Sequence, residues 1–184
     1  MILFSSGKRR ARATAAQIYA ACVTASRAPD LFVGFGVPDT LQGRFELLSL
    51  HLFPVLYRLM HDPGDDPELA RLIAEAFVSD MDAAMRETGV SDTRVPKRMK
   101  ALYASFAGRI SAYKTAFEGG QDALAAAVER NVFPDGAANG RAAELALYLE
   151  AAVAALRNAP LEAMRRGELP FPRLAGAAGE ETRP

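Results

Sequence analysis

FELLSLHLFPVLYRLMH, residues 45–61, is the most apolar passage of the chain. At about 100° per residue along a helix, its large apolar side chains fall on two faces instead of one. A membrane-spanning helix would need roughly 20 consecutive, mostly apolar residues, and Glu46, His51 and Arg58 interrupt this stretch. It therefore predicts a buried central helix of a soluble bundle. One predicted apolar stripe comprises Leu41, Phe45, Leu48, Leu52, Val55, Leu56 and Leu59, and the other Leu50, Phe53, Tyr57 and Met60.

A narrow polar line runs along the same predicted helix. Arg44, His51 and Arg58 are spaced by seven residues, so their side chains project in nearly the same direction. Spacing alone favours a polar seam, satisfied at the edge of a core, over a binding surface.

Length and composition indicate one globular domain. The chain has 184 residues, of which 50% are hydrophobic and 24% are charged. Basic and acidic residues both number 22, so no net charge attracts nucleic acid, and we expect no DNA binding. The single cysteine, Cys22, excludes an internal disulfide and is compatible with a reducing compartment.

Basic residues near the start precede an alanine-rich stretch that Gln17 interrupts. A secretory signal needs a strongly apolar region at that point, so the sequence favours retention in the cytoplasm. We assign residues 1–10 to a loose basic segment, 11–170 to one helical domain and 171–184 to a flexible tail. The basic residues are Lys8, Arg9, Arg10 and Arg12.

Helical patterns separated by Gly and Pro predict an all-α fold of about six to seven helices and no strands. Asp39 is the predicted N-cap of the long helix, with Gln42 in the capping-box position. Asp66 and Pro67 begin the next helix, and Gly89 ends it. The predicted helices cover roughly residues 11–27, 41–60, 67–88, 96–117, 121–130 and 138–157, with one further turn after residue 160.

Charge is segregated around the predicted helix at 96–117. Residues 61–92 contain nine acids against two arginines, whereas residues 93–114 contain six basic residues and no acid. The two blocks either neutralise each other across a helix hairpin or leave a basic patch for phosphate or an acidic partner. The same helix carries a stripe of small side chains that would let another helix approach closely, formed by Ala101, Ala104, Gly108 and Ala112.

The chain offers little for catalysis. It has two histidines and no HExxH, Walker or GxSxG motif, so the sequence predicts neither an enzyme nor a metal or other cofactor.

Four segments carry a family resemblance: SRAPDLF, GVPDTLQGRFELLSLHLFPVLYRL, DMDAAMRETGVSDTRVPKRMKALYASFAGRISAY and ALAAAVERNVF. In this order, over roughly residues 10–156, they resemble the ubiquinol-cytochrome c chaperone family. Ser91 and Lys114 depart from the family pattern, where a glycine and an acid are expected. The family-like positions are Asp39, Gly43, Arg44, Phe45, His51, Arg58, Arg86, Gly89, Asp92, Lys97, Phe106, Gly108, Arg109, Tyr113, Arg130, Asn131 and Phe133.

The resemblance implies a bacterial, non-enzymatic assembly chaperone for respiratory complex III. Its mitochondrial members receive newly made cytochrome b together with a smaller partner protein, near the ribosome and the inner membrane. We therefore expect a groove or patch, bordered by the helices at 41–60 and 96–117, to hold an apolar part of cytochrome b or of an assembly partner. Contact with the ribosome or with the inner face of the plasma membrane stays open. The candidate client- or partner-binding residues are Arg44, His51, Arg58, Lys97, Arg98, Lys100, Arg109 and Tyr113.

Two alternatives belong to other functional classes. A haem or lipid carrier would use His51 as a ligand, and a ribosome- or RNA-binding module would use the basic block.

Overall fold

The computed structural model describes residues 2–62, 64–87, 95–134, 136 and 140–173, and these residues form eight α-helices and no strand. The all-α prediction is confirmed. The helices are α1 (Ile2–Ser26), α2 (Pro29–Val33), α3 (Leu41–His61), α4 (Pro67–Glu87), α5 (Val95–Glu118), α6 (Gln121–Val132), α7 (Arg141–Asn158) and α8 (Leu161–Arg165).

Helix α3 lies at the centre and contacts α1, α4, α5, α6 and α7. One face, including Leu47, Leu50 and Phe53, joins a core cluster with α5, α6 and α7. The other, including Leu52 and Val55, joins a second cluster with α1 and α4. The two-faced pattern of residues 45–61 therefore reflects burial on both sides, as predicted. No helix in the described part of the chain is both long and apolar enough to cross a membrane.

The start of α3 differs from the prediction. The N-cap is Thr40, whose hydroxyl accepts a hydrogen bond from the backbone N–H of Gly43 at 3.1 Å. Asp39 instead forms an ion pair with Arg44, with an Nε–Oδ1 distance of 2.6 Å. Leu41, assigned to the apolar stripe, is 85% exposed because it lies in the first turn, beyond the core.

The start of α4 agrees with the prediction. Asp66 Oδ1 accepts a hydrogen bond from the backbone N–H of Leu69 at 3.0 Å, and Pro67 is the first helical residue. The predicted C-terminal Gly89 lies outside the described residues, as does Ser91.

Some described structure lies outside the predicted helices. Helix α1 begins at Ile2, nine residues before the predicted start at Ala11, and the linker after α1 contains the short helix α2. Near the other end, Phe171 makes an edge contact with His51 at a ring-centroid distance of 5.2 Å. The segment after α8 therefore covers the middle of α3, at least as far as Phe171.

Candidate functional site

An apolar groove lies between α3, α4 and α5. Its volume is about 400 Å³, it opens to solvent, and its walls are predominantly apolar. Within the floor, Phe106 stacks on Phe77 at a centroid distance of 4.3 Å, which fixes α5 against α4. The apolar wall comprises Phe53, Leu56, Tyr57 and Met60 of α3, Ala70 and Ala74 of α4, and Tyr103, Phe106, Ala107 and Ile110 of α5.

Side-chain size explains why the groove exists. Ala70 and Ala74 of α4 and Ala107 of α5 line it opposite the large side chains of α3. Each alanine leaves volume that a larger residue would fill, so the three helices enclose a trough instead of a closed core.

The rim of the groove exposes large apolar side chains. Met60 is 52% exposed and Tyr103 is 49% exposed, and they lie on different helices beside the same opening. Four further polar side chains line the groove: His61, Arg71, Ser111 and Lys114. Arg71 pairs with Glu68 and Glu75, and Lys114 pairs with Glu118. The mouth is thus apolar in its middle, and the two basic side chains on its edge are each paired with an acid.

His51, a predicted contact residue, lies inside the core instead. It is 1% exposed, and both ring nitrogens are engaged, Nδ1 with the carbonyl of Leu47 at 2.7 Å and Nε2 with the hydroxyl of Tyr148 at 2.9 Å. Burial lowers the pKa of His51 to about 4, against a weaker opposing effect of the hydrogen bond to Leu47. The ring is therefore neutral at pH 7, and neither nitrogen is available to a ligand in this arrangement.

The other two members of the polar line have different surroundings. Arg44 is exposed and pairs with Asp39. Arg58 is 7% exposed and borders a polar cavity of about 410 Å³ with Asp62 and Arg157. Arg44, His51 and Arg58 therefore do not form a common surface, although they project in nearly the same direction. The middle of α3 is covered by other parts of the fold, whereas its start is exposed.

Arg109 and Tyr113 of α5 also face inward. Arg109 donates to the carboxylate of Glu46 through Nε at 2.9 Å and Nη2 at 2.8 Å, and Glu46 is 1% exposed. This hydrogen-bonded ion pair raises the pKa of Arg109 and joins α5 to α3. Tyr113 is fully buried in the cluster of α3, α6 and α7, and burial raises the pKa of its hydroxyl.

The basic patch at the start of α5 is open to solvent. Lys97, Arg98 and Lys100 are exposed, and none forms an ion pair with another described residue. The arginines and lysines of neighbouring blocks pair locally, as Arg71 does within α4 and Arg109 with α3. Among the described residues, no ion pair joins α4 to α5, and these three cations have no acidic partner.

None of the eight candidate residues lines the groove between α3, α4 and α5. The groove lies between α3 and α5, and α4 forms its third wall. Met60 was assigned to an apolar stripe, so the pattern identified it as a packing residue and missed its exposure. In the described part of the chain, no cluster of His, Cys, Asp or Glu is arranged to hold a metal ion.

Comparison with known proteins agrees with this architecture. The family model described as Ubiquinol-cytochrome C chaperone matches residues 33–171. The mouse protein Ubiquinol-cytochrome c reductase complex assembly factor 1 is 25% identical over 138 residues, which are 75% of this chain and 47% of that protein. The chain thus spans about half the length of this curated relative. A crystal structure of the Cbp3 homolog from Brucella abortus superposes with a TM-score of 0.79 at 37% identity, covering 95% of this chain and 98% of that one.

Proposed function

Because the chain belongs to the ubiquinol-cytochrome C chaperone family, we propose that it acts without catalysis in complex III assembly and binds newly made cytochrome b in the groove between α3, α4 and α5. The family indicates an assembly chaperone of complex III. Cytochrome b as the client, and the groove as its site, are the specific parts of the proposal.

The observation that carries the proposal is the exposure of Met60 and Tyr103 beside an open apolar trough. Apolar surface removed from water contributes about 25 cal/mol per Å², so an apolar segment of a client gains free energy by covering this mouth. A membrane subunit exposes such segments before it is inserted, because it has no lipid to cover them. A groove with an apolar centre and a polar margin suits transient binding of these segments.

The groove offers apolar contact more than specific polar recognition. Apart from Ser111 and His61, its polar lining consists of Tyr57 and Tyr103 and of Arg71 and Lys114, which are already paired at its edge. We therefore expect the groove to accept segments by hydrophobicity and size, which is what binding of an unfolded membrane subunit requires.

Peripheral contact with the membrane is a further part of the proposal. Lys8, Arg9, Arg10 and Arg12 are all exposed on α1, ahead of the point where this helix enters the core. Clustered basic side chains are attracted to anionic lipid by about 1 kcal/mol each near the surface. Flotation with vesicles containing phosphatidylglycerol, compared with vesicles of phosphatidylcholine alone, tests this contact. Equal recovery with both would contradict it.

The client proposal is tested by complementing a deletion strain. The variant Ala107→Glu places a carboxylate on the groove wall, where an apolar client would have to desolvate it. Ala143→Glu makes the same change at an exposed position of α7. We expect Ala143→Glu to restore cytochrome b and complex III levels and Ala107→Glu to fail, with equal amounts of both variants in the cell.

A crosslinker at position 60 tests whether cytochrome b binds in the groove, separately from whether the protein acts in complex III assembly. Adducts with cytochrome b during its synthesis, lost in Ala107→Glu, support the groove as the site. Full complementation by Ala107→Glu, or adducts only with proteins other than cytochrome b, would contradict it.

A further inference from the structure

The segment that follows α8 lies over the middle of α3 and is held there by side chains alone. Between residues 168 and 173, its backbone hydrogen bonds stay within the segment or return to Ala163 of α8, and none reaches α1, α3 or α7 in the described part of the chain. The two prolines of the segment have no N–H to donate. Leu169 and Phe171, both partly buried, pack against the core cluster of α1, α3 and α4. We call residues 167–171 the latch.

The latch has a fixed base and a hinge. Met164 of α8 is fully buried, and Gln17 of α1 donates a hydrogen bond to the carbonyl of Arg166 at 2.8 Å, so the chain is anchored up to that point. Gly167 follows with a φ of +75°, a backbone conformation that favours glycine. Local opening costs least where few contacts are lost. A short segment that is held by two partly buried side chains can therefore open while the helices stay packed.

The latch covers the ring of His51. Phe171 meets this ring edge-on at a centroid distance of 5.2 Å, and the hydroxyl of Tyr148 bonds its Nε2. With the carbonyl of Leu47 at Nδ1, the groups around the ring are all neutral, and no charged side chain among the described residues shifts its titration. A protonated ring would have no carboxylate to offset its charge, which makes its burial costly. Of the elements around it, the latch is the one that can move away without breaking a helix.

We propose that the latch is an acid-sensitive switch, which opens about Gly167 and exposes His51 to water when this ring takes up a proton. The open state keeps α8 in place through Met164 and uncovers the middle of α3. The inference is independent of client binding, because the latch lies on another side of α3 from the groove between α3, α4 and α5.

The direction of the switch follows from the proton affinity of the two states. When the latch is open, the hydrated ring has its ordinary pKa near 6.5, whereas burial beneath the closed latch lowers the pKa of His51 to about 4. The open state therefore binds the proton more tightly. As the pH falls from 6.5 towards 4, the ratio of open to closed latch rises by up to about tenfold per pH unit.

Tryptophan fluorescence tests the proposal with Phe171→Trp, because the chain contains no tryptophan of its own. As the pH falls from 6.5 towards 4, the emission should shift to the red while the helical circular dichroism signal stays unchanged. The shift should disappear in Phe171→Trp/His51→Gln. It should remain in Phe171→Trp/His61→Gln, which removes the exposed histidine at the end of α3. Phe32→Trp, with the reporter against the other core cluster, should respond only to unfolding.

A second measurement keeps the test valid if tryptophan packs poorly at position 171. In Leu169→Ser, diethyl pyrocarbonate should modify His51 at least about tenfold faster than in wild type, because one of the two side chains that hold the latch is lost. The exposed His61 gives the reference rate. Cys22, which is fully buried, should stay unreactive towards a thiol reagent in both proteins, since the helices remain packed.

Four results would overturn the proposal. They are a tryptophan shift that coincides with the loss of helix, the absence of any shift above pH 4, a shift that persists without His51, and Cys22 reacting as fast as His51 in Leu169→Ser. The first and the last would mean that His51 is reached only by unfolding of the whole bundle.

Discussion

The hydroxyl of Tyr148 on α7 donates a hydrogen bond to Nε2 of His51 on α3, at 2.9 Å within the core. The tautomer of His51 follows from the contact of its other ring nitrogen, Nδ1. Nδ1 lies 2.7 Å from the carbonyl oxygen of Leu47, which can only accept, so Nδ1 carries the proton and Nε2 is the acceptor. Phe171 covers the ring from the segment after α8. His51 therefore connects three parts of the fold as a neutral, fully bonded group.

Replacing Tyr148 by Phe removes the donor and leaves Nε2 of His51 buried without a partner. We expect Tyr148→Phe to lower the free energy of unfolding by about 1–3 kcal/mol, the usual penalty for an unsatisfied buried polar atom. Urea unfolding followed by circular dichroism measures it. Tyr103→Phe, which removes an exposed hydroxyl, is the control and should leave the stability unchanged. Equal effects of the two substitutions would contradict this role of Tyr148.

The lowered pKa of His51 predicts an acid-sensitive fold. The unfolded chain takes up a proton near pH 6.5, but the folded ring resists it until about pH 4. The contribution to stability is thus complete above pH 6.5 and is lost as the pH falls through this window, up to about 3 kcal/mol in total. Unfolding titrations between pH 7 and pH 4 should show a shallower loss in His51→Gln than in wild type. Parallel curves would refute the assignment.

The ion pair between Glu46 and Arg109 predicts a structural role for Arg109. Arg109→Met would leave the carboxylate of Glu46, 1% exposed, with Gln42 as its remaining side-chain partner. Breaking a buried pair at one end costs about 3–5 kcal/mol, and Glu46→Gln/Arg109→Met should recover part of that loss. The exposed pair Arg141–Glu144 supplies the control, since Arg141→Met should change the stability by less than about 1 kcal/mol. A stable Arg109→Met protein would instead favour a contact role for Arg109.

Two glycines in helices predict opposite effects of the same substitution. In Gly43→Ala the new Cβ would collide with the backbone oxygen of Pro38, so α3 or the preceding turn must shift, at a cost of about 1–3 kcal/mol. In Gly108→Ala the Cβ enters open space, and the better helix propensity should raise the stability by up to about 1 kcal/mol. Thermal unfolding of both variants measures whether each substitution lowers or raises the stability. A loss of stability in Gly108→Ala would mean that α5 has an internal need for that glycine.

The rim of the groove predicts a variant that loses function without losing stability. Met60 and Tyr103 are half exposed, so Met60→Ser/Tyr103→Ser should leave the unfolding temperature nearly unchanged and lower complex III levels in the complemented strain. Leu147→Ser removes an apolar side chain of similar exposure from α7 and should have no such effect. Reduced complex III with both variants would indicate that exposed apolar area in general, and not this groove, is responsible.

The helices themselves were largely predictable from local chemistry. Asp66 and Pro67 start α4 as expected, because capping needs only residues close in sequence. The same reasoning from neighbouring residues predicted the wrong N-cap for α3. Asp39 and Thr40 are both good capping residues. In the structure, the carboxylate of Asp39 forms an ion pair with Arg44, and the backbone N–H of Gly43 donates a hydrogen bond to the hydroxyl of Thr40.

Residues 45–61 by themselves determined a central helix buried on two faces, because periodicity and the interrupting charges depend on the chain alone. Only the tertiary structure decided which polar positions on that helix are buried and which are exposed. Arg44, His51 and Arg58 share a direction, yet α7 and the segment ending at Phe171 bury His51 while the start of α3 stays open. Exposure is set by what packs opposite a residue. For that reason the walls and the exposed rim of the groove between α3, α4 and α5 emerged only once the helices were placed together.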